Sequence, residues 1–161
     1  MEKGNAEAFN VLAGCYDDGD HGLPQDQQKA NELYLKAGER GSAVAYYNLG
    51  DSYRRGTGVE RDMKKAKYYW EPAAMMGHVM ARHNLGVIEN QTSNTQRAFR
   101  HFIIGARAGY EKSLDMVKQG FTKGLVTKDE YANTLRTYQK RQNEMKSDER
   151  DKAVLLRQMI S

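Results

Sequence analysis

The residues able to do chemistry are few and scattered. The chain of 161 residues holds four histidines, at His21, His78, His83 and His101, and one cysteine, Cys15. A helical metal site needs ligands at i and i+4, so that two donors leave one face together. No two of these histidines stand four apart, and neither HExxH nor a Cys/His ligand spacing occurs. The pattern predicts no metal site and assigns the histidines to loops, turns or a groove. Nucleophilic catalysis would need a thiol or hydroxyl held by a base and an orienting group. Cys15 falls in Gly14-Cys15-Tyr16, close to an apolar helix position at Leu12, which predicts a buried, inert thiol. Asp17-Asp18 closes the same helix and reads as a pair of solvated charges. The Gly56-Thr57-Gly58 stretch lacks the Gly-Lys-Ser/Thr that a phosphate loop requires. No catalytic residue and no cofactor is expected; a divergent enzyme would need a deep pocket of converging titratable groups.

Charge and composition narrow the partners. The 25 basic and 21 acidic residues, net +4, alternate along the chain, whereas nucleic-acid binding calls for a clustered basic face. Nucleic acid is therefore not an expected partner. The start, MEKGNAEAFN, has no apolar run of the signal-peptide kind, and no stretch approaches the about 20 apolar residues of a membrane span. A soluble chain without direct membrane insertion is expected, in the cytoplasm or nucleus.

What must position any site is a repeat. Gly4, Gly41, Gly77 and Gly109, spaced by 37, 36 and 32, are followed four residues on by Ala8, Ala45, Ala81 and Ser113. After four more come Leu12, Leu49, Leu85 and Val117. Later in each unit Ala30, Ala66 and Ala98 precede Tyr34, Trp70 and Phe102 by four, and Ala37, Ala73 and Gly105 by seven. Small, large, small at that spacing is one helical face, with the small residues admitting a neighbouring backbone. In the clearest copy the two helices run from Ser42 to Arg55 and from Asp62 to Met76, with Asp62 an N-cap and Gly77 a left-handed C-terminal residue. One pair cannot bury its apolar face alone, so stacked neighbours share a core.

AYYNLGDSY, GTGVERD and KKAKYYWEPAAMMG resemble the Sel1-like repeat (SLR), a relative of the tetratricopeptide repeat. The resemblance covers three units at about 4–40, 41–76 and 77–108, with a partial fourth at 109–126. It implies an all-α fold: an α/α solenoid, a right-handed superhelix of antiparallel helix pairs, over residues 1–126. The third unit replaces its glycine loop by ENQTSN. That predicts a tighter turn, either with a local change of superhelical pitch or as a plain loop deletion. Residues 127–161 form a capping helix and charged tail: Thr127 and Glu130 make a capping box, and Tyr131, Leu135 and Tyr138 one apolar face. Beyond about Lys140 the helix is expected to project into solvent or fray. AVLLRQMI, near the end, is an apolar patch without an evident partner in the chain.

The resemblance implies a non-catalytic scaffold or adaptor that holds a protein or peptide partner on its concave face, or else the substrate-receptor part of a ubiquitin-ligase or protein-degradation complex. Counted from the leucines by the tetratricopeptide pattern, that face carries Asn10, Tyr47, Asp51, Arg54 and His83. These either form a groove or are the polar faces of helices. On the second helix of the middle unit Tyr68, Pro72 and Met75 share an outer stripe that is apolar in this copy alone. It is either a contact patch for a partner or second copy, or a tolerated surface substitution. Oligomeric state is not legible.

Overall fold

The structure is a computed structural model describing residues 2–160, with side chains from Gly4 onward. It is all-α, with eight helices and no strand among the described residues. Helices α1 (Glu2–Asp18) and α2 (Gln27–Glu39), and α3 (Ala43–Arg55) and α4 (Met63–Met75), are the first two pairs of an α/α solenoid, and α5 (Val79–Gln91) and α6 (Thr95–Arg107) follow along the chain as the helices of the third repeat. They are followed by α7 (Glu111–Thr122) and the long α8 (Lys128–Ile160). Two compact units divide the chain, Met1–Ile88 and Glu89–Ser161.

In the first unit the small–large–small faces are the core. Ala30, Tyr34 and Ala37 of α2 pack with Ala45 and Leu49 of α3, while Ala66, Trp70 and Ala73 of α4 pack with Ala81 and Leu85 of α5. At Gly50 the backbone of α3 lies close against the indole: a Cβ there would lie 2.5 Å from Trp70 Cδ1. Trp70 is 1% exposed, and deleting a buried ring of that size costs about 3–5 kcal/mol. Asp62 is the N-cap expected from the sequence, and Ser42, expected as the first residue of its helix, is an N-cap too. Ser42 accepts the Ala45 amide at 3.2 Å, and Asp62 accepts the amides of Lys64 and Lys65 at 2.9 and 3.1 Å. Gly41 and Gly77 close α2 and α4 at φ 96° and 94°, where only glycine is unstrained.

The first copy departs from the others. Ala45, Leu49, Ala81 and Leu85 are each 3% exposed or less, yet Leu12 is 40% exposed and Ala8 is also exposed. Leucine at this position packs on the second helix of the repeat before it, and no described helix precedes α1. The helix instead buries Ala6 and Ala13, with Phe9 and Tyr16 packed against the core. Gly4 lies inside α1 rather than at a left-handed cap.

In the second unit the loop of the third repeat shrinks to residues 92–94, with Ser93 at φ 64°. The tighter turn is organised by Glu89, which is 1% exposed. Its carboxylate accepts from Asn94 Nδ2 at 2.8 Å and faces Arg97 at 3.8 Å, while its carbonyl accepts the Asn94 amide at 2.8 Å. Thr127 and Glu130 form the expected capping box: the Thr127 amide reaches Glu130 Oε2 at 2.9 Å and the Glu130 amide reaches Thr127 Oγ1 at 3.2 Å. Tyr131 stacks on Phe121 at 4.7 Å, and Thr134 is buried. Contact outlasts the expected end at Lys140, because Gln142 Nε2 donates to the Gly109 carbonyl at 3.1 Å. From Asp148 onward α8 stays helical and every described residue is exposed.

Candidate functional site

Helix α3 supplies most of the expected face. Tyr47 and Asp51, four apart, leave one side of it, and Arg54 follows one turn on. Tyr47 is fixed from below: its carbonyl accepts Trp70 Nε1 at 3.1 Å, and its ring stacks on Trp70 at 6.5 Å and on His78 at 4.4 Å. Asp51, its side chain 15% exposed, takes Arg54 at 2.6 Å and Arg55 Nε at 2.7 Å. Both arginines are thereby held pointing along the helix.

A cleft of about 210 Å³ opens beside these residues, lined by Asp17, Tyr34, Tyr47, Asn48, Asp51 and Arg55, among others. The tyrosine of the small–large–small face thus does two jobs. Its ring is 4% exposed in the core, and its hydroxyl is turned toward Asp17 and Asn48, with its pKa pushed up to about 12 by burial and then by the Asp17 and Asp18 charges. Asp17 is not the solvated charge expected from sequence. It is half-buried, and desolvation first, then Asp18, raise its pKa above the ordinary 3.8. Asp18 is exposed, as expected.

Of the five expected face residues the structure brings Tyr47, Asp51 and Arg54 together. Asn10 and His83 are half-buried on α1 and α5 of the same unit, and neither lines the cleft. The Asn10 Oδ1 atom is buried and accepts no hydrogen bond from a described residue. Asp17, Tyr34, Asn48 and Arg55 were missed. A signal for the first existed: Arg54 is five beyond Leu49, and the same count from Leu12 lands on Asp17.

Elsewhere, His78 caps α5, with Nδ1 accepting the Ala81 amide at 3.2 Å. It takes the place Ser42 has before α3, and burial holds its pKa below 6.5. Cys15 is only half-buried, its Sγ 3.5 Å from His21 Nδ1, which corrects the expectation of a buried thiol. Tyr68 and Met75 are 68% and 84% exposed, and Pro72 is half-buried inside α4. Among the described residues no His, Cys, Asp or Glu group is placed to hold a metal ion, and no helix is long and apolar enough to cross a membrane.

Stacked helix pairs that share small–large–small faces, with a polar cleft lined from α1, α2 and α3, define an α/α repeat scaffold. The Sel1 repeat profile matches residues 6–42, 43–78 and 79–110, and the chain belongs to the Sel1 repeat family, whose members are protein-interaction scaffolds. A Sel1 repeat protein from Oxalobacter formigenes has a similar structure, with a TM-score of 0.73 and 30% identity over 77% of this chain and 53% of that one. A protective antigen of uropathogenic Escherichia coli strains, displaying an SLR fold, shares the fold at a TM-score of 0.71 and 20% identity, over 86% of this chain and 31% of that one. Among curated proteins the chain is 33% identical over 101 residues, 62% of its length, to HRD3B of Arabidopsis thaliana, an ERAD-associated E3 ubiquitin-protein ligase component. It is 31% identical over 85 residues, 53% of its length, to chitin synthase regulatory factor 2 of Schizosaccharomyces pombe. It spans only 16% and 17% of those two relatives.

Proposed function

We propose that this protein is a non-catalytic scaffold or adaptor that holds a protein partner on the concave face lined by its first helices, at Asn10, Tyr47, Asp51, Arg54 and His83. The observation that carries the reading is the fixing of Tyr47 between Trp70 and His78, beside the Asp51–Arg54–Arg55 cluster. An aromatic ring held by core packing and charged groups held by each other lose little freedom on binding, and such preorganisation is what a recognition surface gains from a rigid scaffold. Tyr and Arg are also the residue types enriched where interfaces concentrate their energy.

Affinity capture from the native cell, read by mass spectrometry with the wild-type chain and Arg54→Glu, tests it. One partner retained by the wild type and lost by the variant is expected. No reproducible partner, together with turnover of a small molecule by the purified chain, ends the scaffold reading. A second reading, the substrate-receptor part of a ubiquitin-ligase or protein-degradation complex, draws on the similarity to the ERAD-associated ligase component. Its mark would be ligase subunits among the captured proteins.

A further inference from the structure

We infer that the cleft between Asp17, Tyr34 and Asn48 receives the cationic end of a lysine or arginine side chain from the bound partner. This rests on the partner-binding reading above and gives that partner a chemistry. The size of the cleft argues for a side chain. At about 210 Å³ it falls short of the roughly 300–1,000 Å³ of pockets that take whole small molecules.

Charge decides the sign. Two carboxylates line the cleft, and their circumstances differ. Asp51 has Arg54 at 2.6 Å and Arg55 at 2.7 Å, so its charge is met and both guanidiniums are engaged. Asp17 makes no ion pair among the described residues; it is hydrogen-bonded by the Tyr34 hydroxyl, and the charges of Asp18 and Asp51 act against its ionised form while that of Arg55, held by Asp51, favours it in part. It also sits one residue from the end of α1, the negative end of the helix dipole. A half-buried carboxylate in that position is unfavourable in the free protein. An anion entering here would meet Asp17 and would have to take an arginine from Asp51, whereas a cation meets a carboxylate that no ion pair engages.

The lining also fits the donors. An ammonium presents three N–H groups and a guanidinium five, and neither accepts. The Asp17 carboxylate, the Tyr34 hydroxyl oxygen and the Asn48 side chain present acceptors from α1, α2 and α3. Ser52, which also lines the cleft, is held in turn, its Oγ donating to the Asn48 backbone carbonyl at 3.2 Å. The raised pKa of Asp17, set first by burial and then by Asp18, agrees with this: a bound cation would offset it by favouring the ionised carboxylate.

The test is a titration of the 15N-labelled full chain at neutral pH with the peptide Ac-Ala-Ala-Lys-Ala-Ala-NH2 and with its Gln and Glu counterparts. Saturable shifts of the Asp17, Asn48 and Thr57 amides with the Lys peptide alone are expected. Asp17→Asn should weaken them about tenfold, as loss of one charge-assisted hydrogen bond implies, and Asp18→Asn should leave them nearly intact. Equal response to the Lys and Gln peptides, preference for the Glu peptide, or no saturable shift at these amides overturns the inference. The Asp17→Asn chain serves a second measurement. If capture of the cellular partner fails with Arg54→Glu yet survives Asp17→Asn, the face stands and the cation cleft falls.

Discussion

The His78 imidazole stacks on the Tyr47 ring with centroids 4.4 Å apart and planes 24° from parallel, while its Nδ1 accepts the Ala81 amide. One side chain therefore caps α5 and supports the aromatic of the proposed binding face. The acceptor role requires a neutral ring, and burial keeps the folded-state pKa below 6.5. As pH falls, the unfolded chain takes up this proton first. The His78 contribution is then complete above about 6.5 and declines as pH drops through the folded value. Thermal melts from pH 7.5 to 5 should show that decline, and His78→Ser, which keeps a capping oxygen as at Ser42, should reduce it. His78→Ala should lose about 1 kcal/mol at pH 7.5 through the missing cap.

Asp17 has the opposite sign. Its folded pKa lies above 3.8, so the native state binds this proton more tightly and stability falls as pH rises through that window. Asp17→Asn should match the wild type near pH 3.5 and be at least as stable at pH 7. Denaturant midpoints at the two pH values check this, and a clear loss at pH 7 would assign Asp17 a structural role instead.

Leu12 and Leu49 hold the same place in the repeat and differ in environment, 40% against 3% exposed. Leu49→Ala should cost about 2–5 kcal/mol by cavity formation. Leu12→Ala should cost less than about 1 kcal/mol, as surface substitutions do. Urea unfolding of the two variants separates the cases.

Much of this was written in the chain. The period of glycines, alanines and aromatics located the helix pairs because small–large–small faces pack only one way, and Ala66, Trp70 and Ala73 are all buried. Caps at Asp62 and Thr127 were legible because they depend on neighbours two or three residues away. Leu12 was not, because its burial depends on whether another helix lies against it. The cleft was half legible. Counting along α3 reached Tyr47 and Asp51, but the Tyr34 hydroxyl arrives from α2 through the core, and no count along a first helix contains it. Asp17 looked like a surface charge because the sequence does not display the tyrosine that partly covers it.

Pro72 stands inside α4 with its neighbours Tyr68 and Met75 in solvent. It removes the hydrogen bond that an amide would donate to the Tyr68 carbonyl. Pro72→Ala should therefore raise stability by about 1–3 kcal/mol. Calorimetric melting of the variant reads the gain, and capture of the same partner by wild type and variant would mark the outer stripe as plain surface.

The central claim is that a protein partner sits on the face of the first helices. Its most direct measurement is photo-crosslinking in the native cell with benzoylphenylalanine placed at Tyr47 in one chain and at Tyr68 in another. The account predicts a discrete adduct from position 47 that weakens with Arg54→Glu, and none of that mass from position 68. An adduct from position 68 with none from position 47 would contradict it.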